Sequence, residues 1–202
     1  MKGYYFITDA KISRSGNISD VEDAVAAGVE VVQYRDKNKS AKEMKEEALV
    51  LRQICKDITF LINDRIDIAI AVGADGVHLG NEDLSYSKAR ELMGNYRIIG
   101  LTVHSLKEAL EAQSVGADYL GVSPIFSTTT KPNAGAPAGV ELIKEIKKRI
   151  LIPIIAIGGI TLANAPEVVE SGADGLCAIS AVITSSDVKA EIGKFQTLFH
   201  RR

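Results

Sequence analysis

Four times along the chain a glycine is followed, after one apolar residue, by an acid and the start of an apolar run: Gly28-Val29-Glu30-Val31, Gly73-Ala74-Asp75-Gly76, Gly116-Ala117-Asp118-Tyr119 and Gly172-Ala173-Asp174-Gly175. Each glycine falls where a helical pattern stops, a position that favours left-handed backbone, so every copy reads as a helix ending and feeding a strand. Recurrence of one junction restricts the chain to architectures built from repeated βα units.

Short, β-branched apolar runs at 4–7, 31–34, 59–62, 76–79, 98–102, 119–122, 153–157 and 175–179 read as strands buried on both faces. Helical patterns lie between and after them at 19–27, 41–55, 66–72, 86–93, 106–115, 140–148, 162–171 and 187–199. The four junctions precede the second, fourth, sixth and eighth strands. Spread over eight units, the 202 residues leave about 25 per unit, near the lower limit for a (β/α)8 barrel and too regular for a doubly wound sheet. The expected fold is α/β, a single (β/α)8 TIM barrel over residues 1–202.

Composition closes off several function classes. With 24 Lys and Arg against 26 Asp and Glu, the formal net charge is −2, which supplies no basic field for nucleic acid. Cys55 and Cys177 stand apart without CxxC or histidine neighbours, so neither a disulfide framework nor a zinc site is expected. The apolar stretch at 4–7 is too short for a signal-peptide core, and no run approaches a membrane span. A cytoplasmic protein without nucleic-acid or membrane partners is expected, its oligomeric state left open.

In such a barrel the chemistry sits at the C-terminal ends of the strands. The residues at or just past those ends are Thr8-Asp9, Gln33 to Lys37, Asn63-Asp64-Arg65, His78 with Asn81-Glu82-Asp83, Thr102 with His104, Ser123-Pro124, Gly158-Gly159 and Ile179-Ser180. Glycines and helix-start N–H groups after the seventh and eighth strands suit a phosphate, although a tight turn with Thr161 capping the next helix explains the same residues. Asp64 and Asp83 follow neighbouring strands, about 4.8 Å apart, and two converging carboxylates suit Mg²⁺. Alternatively each acid caps a helix beginning at Arg65 or Leu84. Arg35, Lys37 and Lys131 would neutralise a polyanion with Gln33 and Asn63 as orienting donors, while Lys39, Lys42 and Lys45 read as solvated surface. The polar run from Ser127 to Pro137 reads as a lid, with an idle connection as its alternative. His78 and His104 are candidate acid–base groups, though His78 equally suits the barrel interior. No Ser-His-Asp or Cys-His spacing stands out, and no lysine lies inside a strand for Schiff-base chemistry.

The ordered set Gln33-Tyr34-Arg35-Asp36-Lys37, Asn63-Asp64, Gly76-Val77-His78-Leu79-Gly80 with Glu82-Asp83, Pro124-Ile125-Phe126 through Lys131, Gly158-Gly159-Ile160 and Ile179-Ser180 resembles thiamine-phosphate synthase over nearly the whole chain. The resemblance implies condensation of 4-amino-2-methyl-5-hydroxymethylpyrimidine diphosphate with a thiazole phosphate, giving thiamine phosphate and pyrophosphate. It implies that Gln33, Tyr34, Arg35, Asp36, Lys37, Asn63, Thr102 and Lys131 hold the pyrimidine diphosphate, with Arg35, Lys37, Thr102 and Lys131 catalytic. Thr128, Thr129, Thr130, Gly159, Ile179 and Ser180 would receive the thiazole phosphate, and Asp64 and Asp83 would ligate Mg²⁺. The chain departs from the family in carrying Thr102 where serine is common, and near Arg65, where Asp or Glu is common. A thiazole tautomerase and a non-catalytic phosphate-binding protein are the competing readings. Both lack a leaving diphosphate, which the joint presence of Arg35, Asp64, Asp83 and Lys131 favours.

Overall fold

In the computed structural model, which describes residues 1–130 and 135–200, parallel strands close on themselves in chain order. The first half runs β1 (Gly3–Ile7), α1 (Asn17–Ala26), β2 (Val31–Tyr34), α2 (Ala41–Ile54), β3 (Thr59–Asn63), α3 (Ile66–Val72), β4 (Gly76–Leu79) and α4 (Tyr86–Met93). The second half runs β5 (Ile98–Val103), α5 (Leu106–Val115), β6 (Tyr119–Val122), α6 (Gly139–Lys147), β7 (Ile154–Ile157), α7 (Ala165–Glu170), β8 (Gly175–Cys177), α8 (Ile179–Ile183) and α9 (Val188–His200). This is the (β/α)8 barrel expected from the repeat. Among the described residues no helix is long and apolar enough to cross a membrane.

Because alternate residues of a strand face opposite sides, each buried run divides into two sets. Tyr5, Ile7, Val31, Leu61, Tyr119, Ile155 and Cys177 pack together within the barrel. Tyr4, Phe6, Val32, Tyr34, Phe60, Ile62 and Leu79 join the larger core under the helices. Ser40 and Glu43 form a capping box that starts α2, and Ser105 accepts from the Glu108 N–H to start α5.

The repeated junction has a physical purpose in both its glycine and its acid. Gly73 and Gly116 end α3 and α5 in left-handed conformation. The acid two residues later accepts from the backbone N–H at the start of the preceding odd strand: Glu30 from Lys2 at 2.9 Å, Asp75 from Phe60 at 2.7 Å, Asp118 from Ile99 at 2.7 Å and Asp174 from Ile154 at 2.9 Å. A cation completes each corner, namely the chain's amino terminus, Arg52, Arg90 and Lys147. Each acid thus satisfies an N–H that the barrel's lower rim leaves open, and Asp75, Asp118 and Asp174 also tie it to α2, α4 and α6 outside.

Asp118→Ala is therefore expected to destabilise the fold by about 1–2 kcal/mol, since it strands the N–H of buried Ile99, while Arg90 keeps its bonds to the Tyr86 hydroxyl and to the Gly94 and Arg97 carbonyls. Urea unfolding measures this, and a loss below about 0.5 kcal/mol, the size of an ordinary surface substitution, would contradict the role.

Two elements differ from the sequence expectation. The eighth strand stops at Cys177, and Ile179 opens the short helix α8, whose Val182 and Ile183 are buried at helical spacing from it. Helix α7 begins at Ala165 with Asn164 before it, so Thr161 is not its cap; instead the Thr161 N–H donates to the Asn164 side chain at 2.8 Å.

Candidate active site

The C-terminal ends of the strands enclose a cavity of about 550 Å³. It is lined by Gln33, Arg35, Lys37, Asn63, Asp64, Asp83, Thr102, Thr128, Thr130, Gly159, Ile179 and Ser180, together with Ile7, His78, Asn81, Glu82, His104, Ser123, Ile157 and Gly158. Strands β3 and β4 stand opposite β7 and β8 across the closed ring, so the cavity has an acidic wall and a glycine wall facing one another.

On the acidic wall, the chain turns sharply after β3. Asp64 has φ 60°, the one positive value among the described non-glycine residues, and its N–H donates to the His78 carbonyl at 2.9 Å. Left-handed backbone at an aspartate is tolerated and is a frequent mark of a functional turn. The Asp64 carboxylate meets both Lys37 and the carboxyl of Asp83. Asp83 is held from its own side by the Gly80 N–H at 2.7 Å. Neither acid caps a helix, because α3 is preceded by Arg65 and α4 by Ser85.

The pair divides its charge unequally. Burial works against ionisation of Asp64, yet the contact with Asp83 and the Lys37 ammonium hold its carboxyl below the usual range. Burial and the adjacent Asp64 charge raise that of Asp83. Two carboxylates this close repel each other when both are charged, and a cation between them would relieve that repulsion.

Beside them, Arg35 pairs with Asp9 at 3.2 Å, and its backbone is tied in both directions to the Thr8 hydroxyl. These contacts fix Arg35 at the rim as β2 ends.

On the glycine wall, Gly158 and Gly159 have φ 103° and 62°. A side chain on Gly159 would come within 2.4 Å of the Ser127 carbonyl and 2.8 Å of Phe126, and one on Gly158 within 2.7 Å of Pro124. The two glycines let the turn after β7 pack on the loop after β6, before any ligand is considered. Gly159→Val would thus disturb that loop as well as any approach to a ligand. Asn164 steadies the turn by donating to the Gly159 carbonyl at 3.0 Å. Ile179 and Ser180, which open α8, line the cavity, and the first N–H groups of a helix have no acceptor within it.

Three candidates lie outside the cavity. Tyr34 is fully buried in the core under the helices, where burial and Glu47 beside its hydroxyl raise its pKa. The strand's alternation sends Gln33 to the barrel interior and Tyr34 away from it, which corrects its assignment to the substrate. The Asp36 carboxylate accepts from the N–H groups of Asn38 and Lys39, at 2.8 and 3.0 Å, and shapes its own loop. Thr129 is exposed and does not line the cavity. Lys131 lies outside the described residues, as does the part of the expected lid at 131–134.

Beneath the cavity, two tyrosines that the sequence reading passed over, Tyr5 and Tyr119, join polar groups of the lining. The Gln33 amide donates to the Tyr5 hydroxyl at 2.7 Å, and the Tyr5 and Tyr119 hydroxyls are 2.7 Å apart. Tyr119 lies 2.8 Å from His78 Nδ1, and His78 Nε2 lies 2.9 Å from the Thr102 hydroxyl. His78 therefore belongs to the cavity floor, whereas His104 stands at the exposed rim against the Ser123 carbonyl.

A family model described as thiamine monophosphate synthase matches residues 4–182. A thiamine-phosphate synthase of Methanosarcina barkeri is 49% identical over 199 residues, covering 98% of this chain and 90% of its own. Another from Chloroflexus aurantiacus is 47% identical over 197 residues, covering 96% and 91%. The solved thiamine phosphate pyrophosphorylase of Pyrococcus furiosus shares 39% identity and a TM-score of 0.91, covering 98% of this chain and 96% of its own.

Proposed function

This chain belongs to the thiamine monophosphate synthase family, a family of transferases, and from that premise we propose that it joins 4-amino-2-methyl-5-hydroxymethylpyrimidine diphosphate to a thiazole phosphate. The observation that carries this reading is the facing of two polar walls across one cavity. Arg35, Lys37, Asn63 and the Asp64–Asp83 pair suit a diphosphate with a divalent ion, and the turns at Gly158-Gly159 and Ile179-Ser180 suit a phosphate ester.

The acidic wall fits Mg²⁺. Its donors are hard oxygens close to one another, and the charge of Asp64 raises the pKa of Asp83, a repulsion that a cation between them would relieve. Among the described residues no group of three or more His, Cys, Asp or Glu could hold a metal, so the protein would offer two carboxylates and leave the remaining positions to water and substrate oxygens. When bound, Mg²⁺ would supply charge neutralisation to the departing diphosphate.

The protein's own work is then placement and electrostatics. The bond from the pyrimidine methylene to the diphosphate oxygen breaks, its electron pair leaves with pyrophosphate, and the thiazole nitrogen lone pair forms the new carbon–nitrogen bond. Arg35, Lys37 and Lys131 stabilise charge growing on the leaving oxygens. The electron-rich aminopyrimidine tolerates the cationic character of its methylene, so no protein nucleophile is needed. Gln33, Asn63 and Thr102 orient the pyrimidine half, while Thr128, Thr130, Gly159, Ile179 and Ser180 hold the thiazole phosphate.

Purified protein incubated with both substrates and Mg²⁺ is expected to release one pyrophosphate for each thiamine phosphate formed, and to require both substrates. Conversion of a thiazole phosphate without pyrophosphate release would favour a tautomerase, and binding without conversion a non-catalytic role.

A further inference from the structure

The hydrogen bonds under the cavity form one continuous chain across the barrel: Gln33 on β2, Tyr5 on β1, Tyr119 on β6, His78 on β4 and Thr102 on β5. Strand glycines make room for its rings. A side chain on Gly100 would come within 2.1 Å of the Tyr119 ring, and one on Gly121 within 2.9 Å of the His78 imidazole. The Tyr119 and His78 rings lie tilted against each other at a centroid separation of 5.4 Å. Neither tyrosine lines the cavity, yet the chain ends on a hydroxyl that does.

Counting protons gives this chain a direction. An amide N–H₂ only donates, so the Tyr5 oxygen accepts from Gln33. Tyr5 is buried, and the Tyr119 oxygen is the partner left for its proton. Tyr119 then accepts, and its own proton goes to His78 Nδ1. An imidazole that accepts at Nδ1 carries its proton on Nε2 and donates it to the Thr102 oxygen. The reverse order would make Tyr119 donate to Tyr5 and strand the buried Tyr5 proton, which costs free energy.

We propose that Tyr119 is a positioning residue: through His78 it fixes the Thr102 hydroxyl as a hydrogen-bond donor to an acceptor atom of the pyrimidine diphosphate. The substrate half of this statement rests on the proposed synthase function. The proton's place on His78 does not.

Two readouts separate them. The chain has three histidines, so nitrogen NMR on histidine-labelled protein assigns His78 by the signals lost in His78→Asn. The ligand-free protein should show an unprotonated Nδ1 and a protonated Nε2, and Tyr119→Phe should give mixed tautomers. In turnover, Tyr119→Phe should lower kcat by about tenfold, the effect of one lost hydrogen bond. Adding it to Thr102→Val should cost nothing further, because both changes remove the same donor. Tyr5→Phe cuts the chain one link earlier and should shift the same signals, which keeps the test open if Tyr119→Phe folds poorly. A wild-type proton on Nδ1, an unchanged tautomer in both phenylalanine variants, or additive losses in the double variant would overturn the proposal. Wild-type protein without turnover would overturn the reading of function, and the tautomer would still decide the chain.

Discussion

Asp64→Asn is expected to lower turnover by a hundred- to a thousandfold, roughly the loss seen when one preorganised charge-stabilising group is removed from an active site. Asparagine is the informative replacement because it tolerates the left-handed backbone at φ 60°, where alanine would add strain unrelated to chemistry. The change keeps the side chain's shape and removes the charge that meets Lys37 and raises Asp83. A diphosphate leaving this wall would then face uncompensated charge. Steady-state turnover with a thermal melt checks the result: activity should fall while the melting temperature moves little. Wild-type turnover in Asp64→Asn, or full wild-type activity in excess chelator, would contradict the cation site.

Lys131→Ala is expected to depress kcat by about a hundredfold while leaving affinity for the thiazole phosphate near the wild-type value. An ammonium that meets the diphosphate matters more as the carbon–oxygen bond breaks and charge collects on the leaving group. Its loss should therefore appear in turnover. Under the proposed function the thiazole phosphate sits at the opposite wall, at Gly158-Gly159 and Ile179-Ser180, and should not sense the change. Titration of each substrate beside kcat measures the split. Equal loss of affinity for both substrates, or wild-type turnover, would remove Lys131 from the chemistry.

The fold was legible because its punctuation is periodic. Gly73 and Gly116 had to end helices, the acids after them had to precede strands, and eight evenly spaced units close most simply into a barrel. The adjacency of Asp64 and Asp83 followed once β3 and β4 were neighbours. The facing of residues within a strand did not follow. A strand buried on both faces shows no polar alternation, so Gln33 and Tyr34 looked equally available until the register separated them. Tyr5 and Tyr119 lie inside runs whose only sequence signal is a buried strand, and the contacts of a tyrosine hydroxyl leave no trace in spacing. Gly100 and Gly121 passed as ordinary strand residues, although each clears space for a ring on a neighbouring strand. The junction acids marked strand starts correctly, but their long-range partners on the preceding odd strands came only with the folded barrel.

The most direct measurement is a crystal structure of the protein with Mg²⁺, a non-reacting analogue of the pyrimidine diphosphate, and the thiazole phosphate. The diphosphate is expected beside Arg35 and the Asp64–Asp83 pair, and the thiazole phosphate at the Gly159 and Ser180 turns. The thiazole nitrogen should face the pyrimidine methylene at about 3–3.5 Å, the separation of reacting atoms poised for attack. Both phosphate groups on one wall, or either ligand outside the cavity, would contradict the assignment.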